Sequence, residues 1–335
     1  MIHLACAADD QFALPLAATV RSVLNTMERG RELRLFVLDG GISSTNRERL
    51  LASWAGEPLT VDWIEVNDEH SLKDLSSSGH VSKGTYFRLL ISQLLPKQVS
   101  KCIYLDSDLL VRTDLGKLWE TPLGDNHCLA APDVAAPFID ADVSFRNSQK
   151  RIRHVARARP IENYIDLNID PQAHYFNAGV MLIDLDRWRQ DGISEQLFRC
   201  LHENESHVLW WDQYALNVVL AQKWMPLDLR WNQGSYIYRY SSWEQSPFDE
   251  DTFCQTRNDP FIVHFTDRVK PWHARSRHPF RQEFLSCLDT TNWKGWRPSK
   301  SQLAAELVAE CWRRCRGVTS GMYRRISRKH DGPGQ

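Results

Sequence analysis

The sequence predicts an α/β fold with a central sheet flanked by helices, and three observations carry that expectation. Short apolar runs alternate with stretches whose apolar positions recur at helical spacing. Acidic residues stand at the ends of those runs. The chain is also long enough, at 335 residues with 42% hydrophobic content, to bury one large core or a core with a smaller appendage. Strands separated by helices point to a parallel sheet, whose ligands sit at the carboxyl ends of the strands.

The elements follow in order. Residues 2–8 form a short apolar strand ended by Asp9-Asp10, and Leu14 to Met27 read as a helix. Leu33 to Leu38 is a second strand closed by Asp39-Gly40-Gly41, followed by a helix from Arg47 to Trp54 and a third strand from Leu59 to Val66. Thr85 to Leu95 reads as a helix stopped at Pro96, with Arg88 near its start, where a cation gains nothing from the helix dipole; an anionic ligand or a surface ion pair would explain it. Pro132 to Pro171 has no sustained period and reads as an irregular insertion of the kind that forms lids and substrate loops. Tyr175 to Leu185 is again a strand, opened by small residues at Asn177-Ala178-Gly179 that admit a ligand to the backbone or make a bulge. Helices are expected at 193–203 and 212–222, where Asp212 reads most simply as an N-cap. An apolar strand beginning at Phe261 delivers His264, and Lys270 follows a short polar turn.

Residues 103–111, IYLDSDLLV, carry the chemistry. Read as one continuous strand, its period of two places Asp106 and Asp108 on the same side, with small Ser107 between them. Ionised carboxylates out of water need a divalent cation or a fixed cationic partner, unless both merely cap a turn. Asp9, Asp10 and Asp39 would join them on one rim, and His264 would complete a mixed nitrogen and oxygen ligand set.

Composition excludes several classes. A net charge of −1 creates no global attraction to nucleic acid or anionic lipid. Eight cysteines contain no CxxC pair and read as reduced core thiols, and no glycine-rich dinucleotide or P-loop motif is present. No run reaches the roughly 18 apolar residues of a membrane span, and the start of the chain lacks a secretory pattern, so a cytoplasmic location is expected. The last stretch differs: apolar positions 303, 307, 308, 311, 312 and 315 form one helical face, with Arg313, Arg314, Arg316, Arg324, Arg325, Arg328 and Lys329 beside or after them. A basic amphipathic tail of this kind suits peripheral contact with the inner face of the cytoplasmic membrane.

Seven ordered segments, ACAADDQF, HVSKGTYFRL, IYLDSDLLV, YFNAGVMLIDL, WDQYALN, LRWNQ and VHFTDRVKPW, together resemble the retaining glycosyltransferases of family 8 over roughly residues 1–275. The basic tail brings the chain nearest the bacterial lipopolysaccharide galactosyl- and glucosyltransferases of that family. The resemblance implies a GT-A fold, with a Rossmann-like mixed central sheet flanked by helices and a helical, basic C-terminal appendage. It implies a catalytic domain at 1–275, with 133–171 as an acceptor or lid insertion, and a helical region at 276–335. It further implies a UDP-hexose donor, a glycan acceptor that includes lipid-linked ones, and Mn2+ or Mg2+ held by Asp106, Asp108 and His264. Ala8, Asp9, His80 and Ser107 would lie at the nucleotide, Arg88 at the donor sugar or Asp106, and Lys270 at the diphosphate. Asn177 and Asp212 would line the sugar pocket, with Gln213 beside the anomeric carbon.

Two positions depart from the family pattern. Gln11-Phe12 stands where Asn-Tyr is usual, removing a tyrosine hydroxyl, and Asp267 stands where glycine is frequent, adding charge near a diphosphate. Gln213 is a poor nucleophile, so the resemblance implies front-face attack by the acceptor rather than a covalent glycosyl-enzyme. A metal-dependent hydrolase of nucleotide sugars or phosphoesters and a non-catalytic nucleotide-sugar binder are the alternatives.

Overall fold

A computed structural model describes residues 1–66, 83–144 and 159–309. Strands β1 (Ile2–Ala8), β2 (Leu33–Asp39), β3 (Leu59–Glu65), β4 (Lys101–Leu105), β6 (Cys128–Pro132), β7 (Phe176–Asp184) and β8 (Trp224–Pro226) form a sheet of order β3-β2-β1-β4-β7-β6-β8. Strands β1 to β4 are parallel, whereas β7 runs antiparallel to both β4 and β6. The sheet is therefore mixed rather than purely parallel. Strand β7 returns between β4 and β6 after the long excursion from Pro132, a pairing that needs no helical crossover in the parallel sense.

Alternation along the strands sorts side chains to two faces. Leu4, Cys6, Ile103 and Leu105 join a core with helix α1 (Ala13–Thr26), while Ala5, Cys102 and Tyr104 join a second core with Trp188, Leu197 and Tyr214. Helix α2 (Ser44–Ser53) follows β2, and α3 (Ile193–Glu203) and α4 (Trp211–Val219) cover the second face. Helix α5 (Arg281–Leu288) packs Phe284, Leu285 and Leu288 into the α1 core. Residues 300–309 are helical, and the basic positions from Arg313 onward lie outside the described residues. Among the described residues, no helix is long and apolar enough to cross a membrane. The described cysteines are free, and Cys254 is exposed rather than a core thiol.

The segment 103–111 is not one strand. Strand β4 stops at Leu105, and β5 (Leu109–Val111) belongs to a separate three-stranded sheet of order β5-β10-β9, with β9 at Gln233–Gly234 and β10 at Ile262–His264. The two carboxylates thus share a direction because the chain bends between two sheets, not because of strand periodicity. Helix α1 holds that bend: the Thr19 hydroxyl accepts from Leu109 N at 3.1 Å and lies 2.8 Å from Ser107 O, and Ser22 Oγ accepts from Val111 N at 2.9 Å. The helix expected at Thr85–Leu95 is a 3-10 helix over Lys83–Leu90 followed by one α-turn, Ile91–Leu94. The tighter winding places Tyr86, Phe87, Leu89 and Leu90 all in the interior, more than an amphipathic stripe buries.

Replacing Thr19 with valine keeps the shape of the side chain but leaves the buried Leu109 N–H without its acceptor. Denaturant unfolding is expected to show a loss of about 1–3 kcal/mol; an unchanged midpoint would mean that water substitutes for the hydroxyl.

Candidate functional site

Three ligand-bearing side chains converge at the junction of the two sheets. Asp106 and Asp108 come from the bend after β4 and His264 from the end of β10, and one donor atom from each lies within 4.8 Å of the others. His264 Nε2 is 3.6 Å from Asp106 Oδ2 and 3.4 Å from Asp108 Oδ1, longer than close charged hydrogen bonds. Its other nitrogen, Nδ1, lies 2.9 Å from Asn232 Oδ1, an arrangement that assigns the ring proton to Nδ1 and turns the Nε2 lone pair toward the carboxylates. Gly179 makes room for the cluster: a Cβ there would overlap the His264 ring and come 2.8 Å from Asp106 Oδ2. Two carboxylate oxygens and a neutral imidazole in one cradle fit a divalent cation. The close approach expected at Asn177-Ala178-Gly179 is therefore made by His264 itself.

Fixed cations hold the charges. Lys270 Nζ lies 2.7 Å from Asp108 Oδ2 and also donates to the Phe265 carbonyl. Burial opposes the Asp108 charge, but Lys270 beside it keeps the carboxyl below the usual carboxylate range. Arg88 is buried and bridges two acids, with Nη2 2.7 Å from Asp106 Oδ1 and Nε 2.9 Å from Asp212 Oδ2. Its Nη1 donates to the Ala178 carbonyl at 2.7 Å, and the guanidinium lies over the Tyr104 ring. The anion that explains its place in the chain is thus a pair of the protein's own carboxylates. Burial pushes Asp212 up to about 6, with Arg88 opposing and Asp106 adding to the rise. The Arg88 Nε proton is directed to the Thr85 carbonyl, so Asp212 gains charge attraction without a hydrogen bond from it. Asp212 is therefore not an N-cap; that place belongs to Trp210.

A chain of amides lines the neighbouring wall. Asn232 Nδ2 donates to Asn177 Oδ1 at 2.9 Å, and Asn177 Nδ2 and Gln213 Nε2 both donate to Asp133 Oδ2, at 3.0 and 3.1 Å. Gln213 Oε1 accepts from Ala178 N at 3.2 Å, so both ends of its amide are held. Trp211, one residue before Asp212, has φ of 42°, a left-handed conformation rare for a bulky residue and typical of functional sites.

Two cavities share this centre. One of about 160 Å³ is lined by Ala8, Asp9, Phe12, Ser107, Asp108 and neighbours. The other, about 500 Å³, is lined by Asp133, Asn177, Trp211, Asp212, Gln213, Tyr236, His264 and neighbours. Thr85, Arg88, Asp106 and Lys270 border both.

The expected acidic rim is smaller than the sequence suggested. Asp10 Oδ1 accepts from Ser43 N and Asn46 Nδ2, tying the first loop to α2. Asp39 accepts from Gly41 N and Ile42 N and pairs with Arg47 at 2.6 Å. Neither faces a cation site. Asp9 spends Oδ1 on Gln11 N and Phe12 N, and His80 lies outside the described residues. Asp133 and Asn232 were missed by sequence reasoning. Both sit in segments whose local signal is only a turn, and their role depends on partners 44 and 55 residues away.

Known proteins match this arrangement. Residues 3–276 match the family described as Glycosyl transferase family 8. The chain is 30% identical over 296 residues to General stress protein A of Bacillus subtilis, covering 88% of this chain and 95% of that protein. It is 24% identical over 294 residues to lipopolysaccharide 1,3-galactosyltransferase of Salmonella typhimurium, covering 87% and 79%. A solved structure of galactosyltransferase LgtC with donor and acceptor sugar analogs has a TM-score of 0.70 and 26% identity, covering 88% of this chain and 99% of that one.

The raised Asp212 carboxyl has a signed consequence for stability. Below pH 3.8 the group is protonated in both folded and unfolded chains; between that value and about 6 the unfolded chain releases the proton while the folded chain keeps it, so stability falls as pH rises. The contribution is of order 3 kcal/mol. Melting temperature should therefore fall more steeply between pH 4 and 6 in the wild type than in Asp212→Asn; parallel curves would refute the burial argument.

Proposed function

Because the chain belongs to glycosyl transferase family 8, we propose that it moves a hexose, galactose or glucose, from a UDP-sugar to a glycan acceptor with retention of configuration. The supporting observation is the Asp106, Asp108 and His264 cluster, with Lys270 beside it, standing between two cavities. We propose the smaller cavity for the nucleotide and the larger for the transferred sugar and the acceptor end. A divalent ion, Mn2+ in preference to Mg2+ because a histidine is in the set, would be held by those three residues and would supply Lewis-acid stabilisation of the departing diphosphate.

The chain's own groups divide the remaining work. Asp9 Oδ2 is left by the cap to take a ribose hydroxyl beside Ala8, and Phe12 offers a ring face without a hydroxyl. Lys270 brings positive charge to the diphosphate as negative charge develops there. On the sugar side, Asp212 and the Gln213 carbonyl oxygen present anionic and neutral oxygens to a ring gaining positive charge. Gln213 is tied at both ends and Asp133 already accepts from two amides and from Ala135 N. The wall thus holds the sugar without offering a loose nucleophile, which favours attack by the acceptor on the face the diphosphate leaves.

The proposed acceptor is lipopolysaccharide or another cell-surface glycan, lipid-linked forms included, met at the inner face of the cytoplasmic membrane. Support comes from the similarity to lipopolysaccharide 1,3-galactosyltransferase and from the run of basic residues between Arg313 and Lys329 in the sequence. Salt-sensitive binding to anionic vesicles, lost on removing residues 303–335, would bear out the membrane contact; binding that survives the truncation would refute it.

UDP release measured across a panel of UDP-sugars with Mn2+ or EDTA tests the reaction itself. One hexose donor is expected to turn over only with metal, and Asp108→Ala and His264→Ala are each expected to lower the rate by about 10²–10³-fold or more. Full-yield hydrolysis that no glycan acceptor diverts into product would instead establish a hydrolase.

A further inference from the structure

Behind the loop that carries Asp267 lies a third cavity, of about 420 Å³, lined by Tyr238, Arg239, Asp267, Arg275, Arg277, His278 and neighbours. Asp267 also lines the large cavity beside Gln213, so the two cavities share this residue. The charge here is one-sided. Among the described residues three guanidiniums meet one carboxylate of the wall, and Arg239 pairs with that Asp267 at 2.6 Å with both partners more than a third exposed. A solvated pair of this kind contributes little and is easily exchanged for another oxyanion. Arg275 stands 4.0 Å from Glu306, whose oxygens already accept from the Ala274 and Arg275 backbone N–H groups. Arg277 has no acidic partner among the described residues.

A neutral donor accompanies the arginines. His278 Nδ1 accepts from Phe280 N at 3.3 Å, which assigns the ring proton to Nε2, and among the described residues that nitrogen has no hydrogen-bond partner. Burial pushes His278 down to about 4, so near neutral pH it adds a donor without adding charge. Guanidiniums with spare donors beside a half-buried imidazole are the complement of a phosphate or carboxylate, which offers several acceptor lone pairs and matches the guanidinium fork.

We propose that the cavity walled by Arg239, Arg275, Arg277 and His278 is a binding subsite for an oxyanion, phosphate or carboxylate, carried by the glycan acceptor. The assignment rests on the transferase reading of the neighbouring cavity. It gives the acceptor an anchor away from the reacting hydroxyl, and it makes Asp267 the residue displaced from Arg239 when an anionic acceptor arrives.

The test uses the full chain with Mg2+ and saturating UDP, which fills the diphosphate site, and titrates inorganic phosphate and glucuronate separately by calorimetry. Saturable binding of at least one anion at millimolar concentration is expected. The affinity should fall about tenfold or more in Arg277→Gln and in Arg239→Gln, the size of one lost charge-assisted hydrogen bond. Arg187→Gln, at an arginine paired with Asp125 and Asp184 on another part of the surface, should change nothing. Tighter phosphate would mark a phosphorylated acceptor and tighter glucuronate an acidic sugar. No saturable binding of either anion, or binding that Arg277→Gln leaves intact, overturns the proposal. Failure of UDP to bind overturns the transferase reading instead, and the arginine dependence of the anion titrations still decides this site.

Discussion

The double ion pair of Arg88 is the interaction on which the site depends. Asp106 and Asp212 come from a bend after β4 and from the first turn of α4, and Arg88 stands between them. Arg88 and Asp212 are both buried, and a buried carboxylate is tolerated only when its charge is answered locally. Because a guanidinium presents several donors in a fixed plane, one side chain meets Asp106, Asp212, the Thr85 carbonyl and the Ala178 carbonyl together. A lysine at position 88 would supply the charge but not that geometry. The 3-10 winding of residues 83–90 belongs to the same constraint, since it turns Arg88 into the interior among its apolar neighbours.

Orientation of the Asp106, Asp108 and His264 cluster comes from a chain of hydrogen-bonded side chains. Asn232 holds the His264 ring, Asn177 holds Asn232, and Asp133 gathers Asn177 and Gln213, so one continuous hydrogen-bond path joins the His264 ring to the wall of the larger cavity. Its members come from the residue after β6, from β7, from α4, from the segment before β9 and from β10, elements far apart in sequence. Their positions are therefore set before any ligand arrives, the condition under which dipoles stabilise developing charge without reorganising. Gly179 completes the arrangement by giving its missing side-chain volume to His264 and Asp106.

Much of this was legible in the chain. Alternating apolar runs located the strands, the ordered motifs located Asp106, Asp108, His264, Lys270, Arg88, Gln213 and Asn177, and all of these border the central cavities or the cluster between them. What periodicity could not show was the bend at Ser107, because the bend follows from the Thr19 and Ser22 hydroxyls on α1, which no pattern within 103–111 contains. Asp10 and Asp39 looked like ligands for the converse reason. Their acidity was visible, but the backbone N–H groups of Gly41, Ile42 and Ser43 that occupy them exist only once β2 turns into α2. The alternation of elements pointed to a parallel sheet and only the family resemblance implied a mixed one, because the direction of β7 is decided by how the excursion after Pro132 returns, not by the composition of the strand.

Asp267 shows how a local departure from a family pattern is absorbed. A carboxylate two residues after the core β10–loop junction at Phe265 adds negative charge to the cavity that holds Lys270, where a diphosphate would be repelled. Arg239 answers that charge from the opposite wall, and the pair is exposed enough that solvent screens what remains. The same exposure makes the partnership exchangeable. An anion bound by Arg239 would release Asp267, which shares its loop and a cavity wall with Lys270, so occupancy of the arginine-lined cavity and the charge around Lys270 are linked through one side chain. A glycine at position 267 could not form that link, since it would leave Arg239 without its acidic partner and the two cavities without a shared charge.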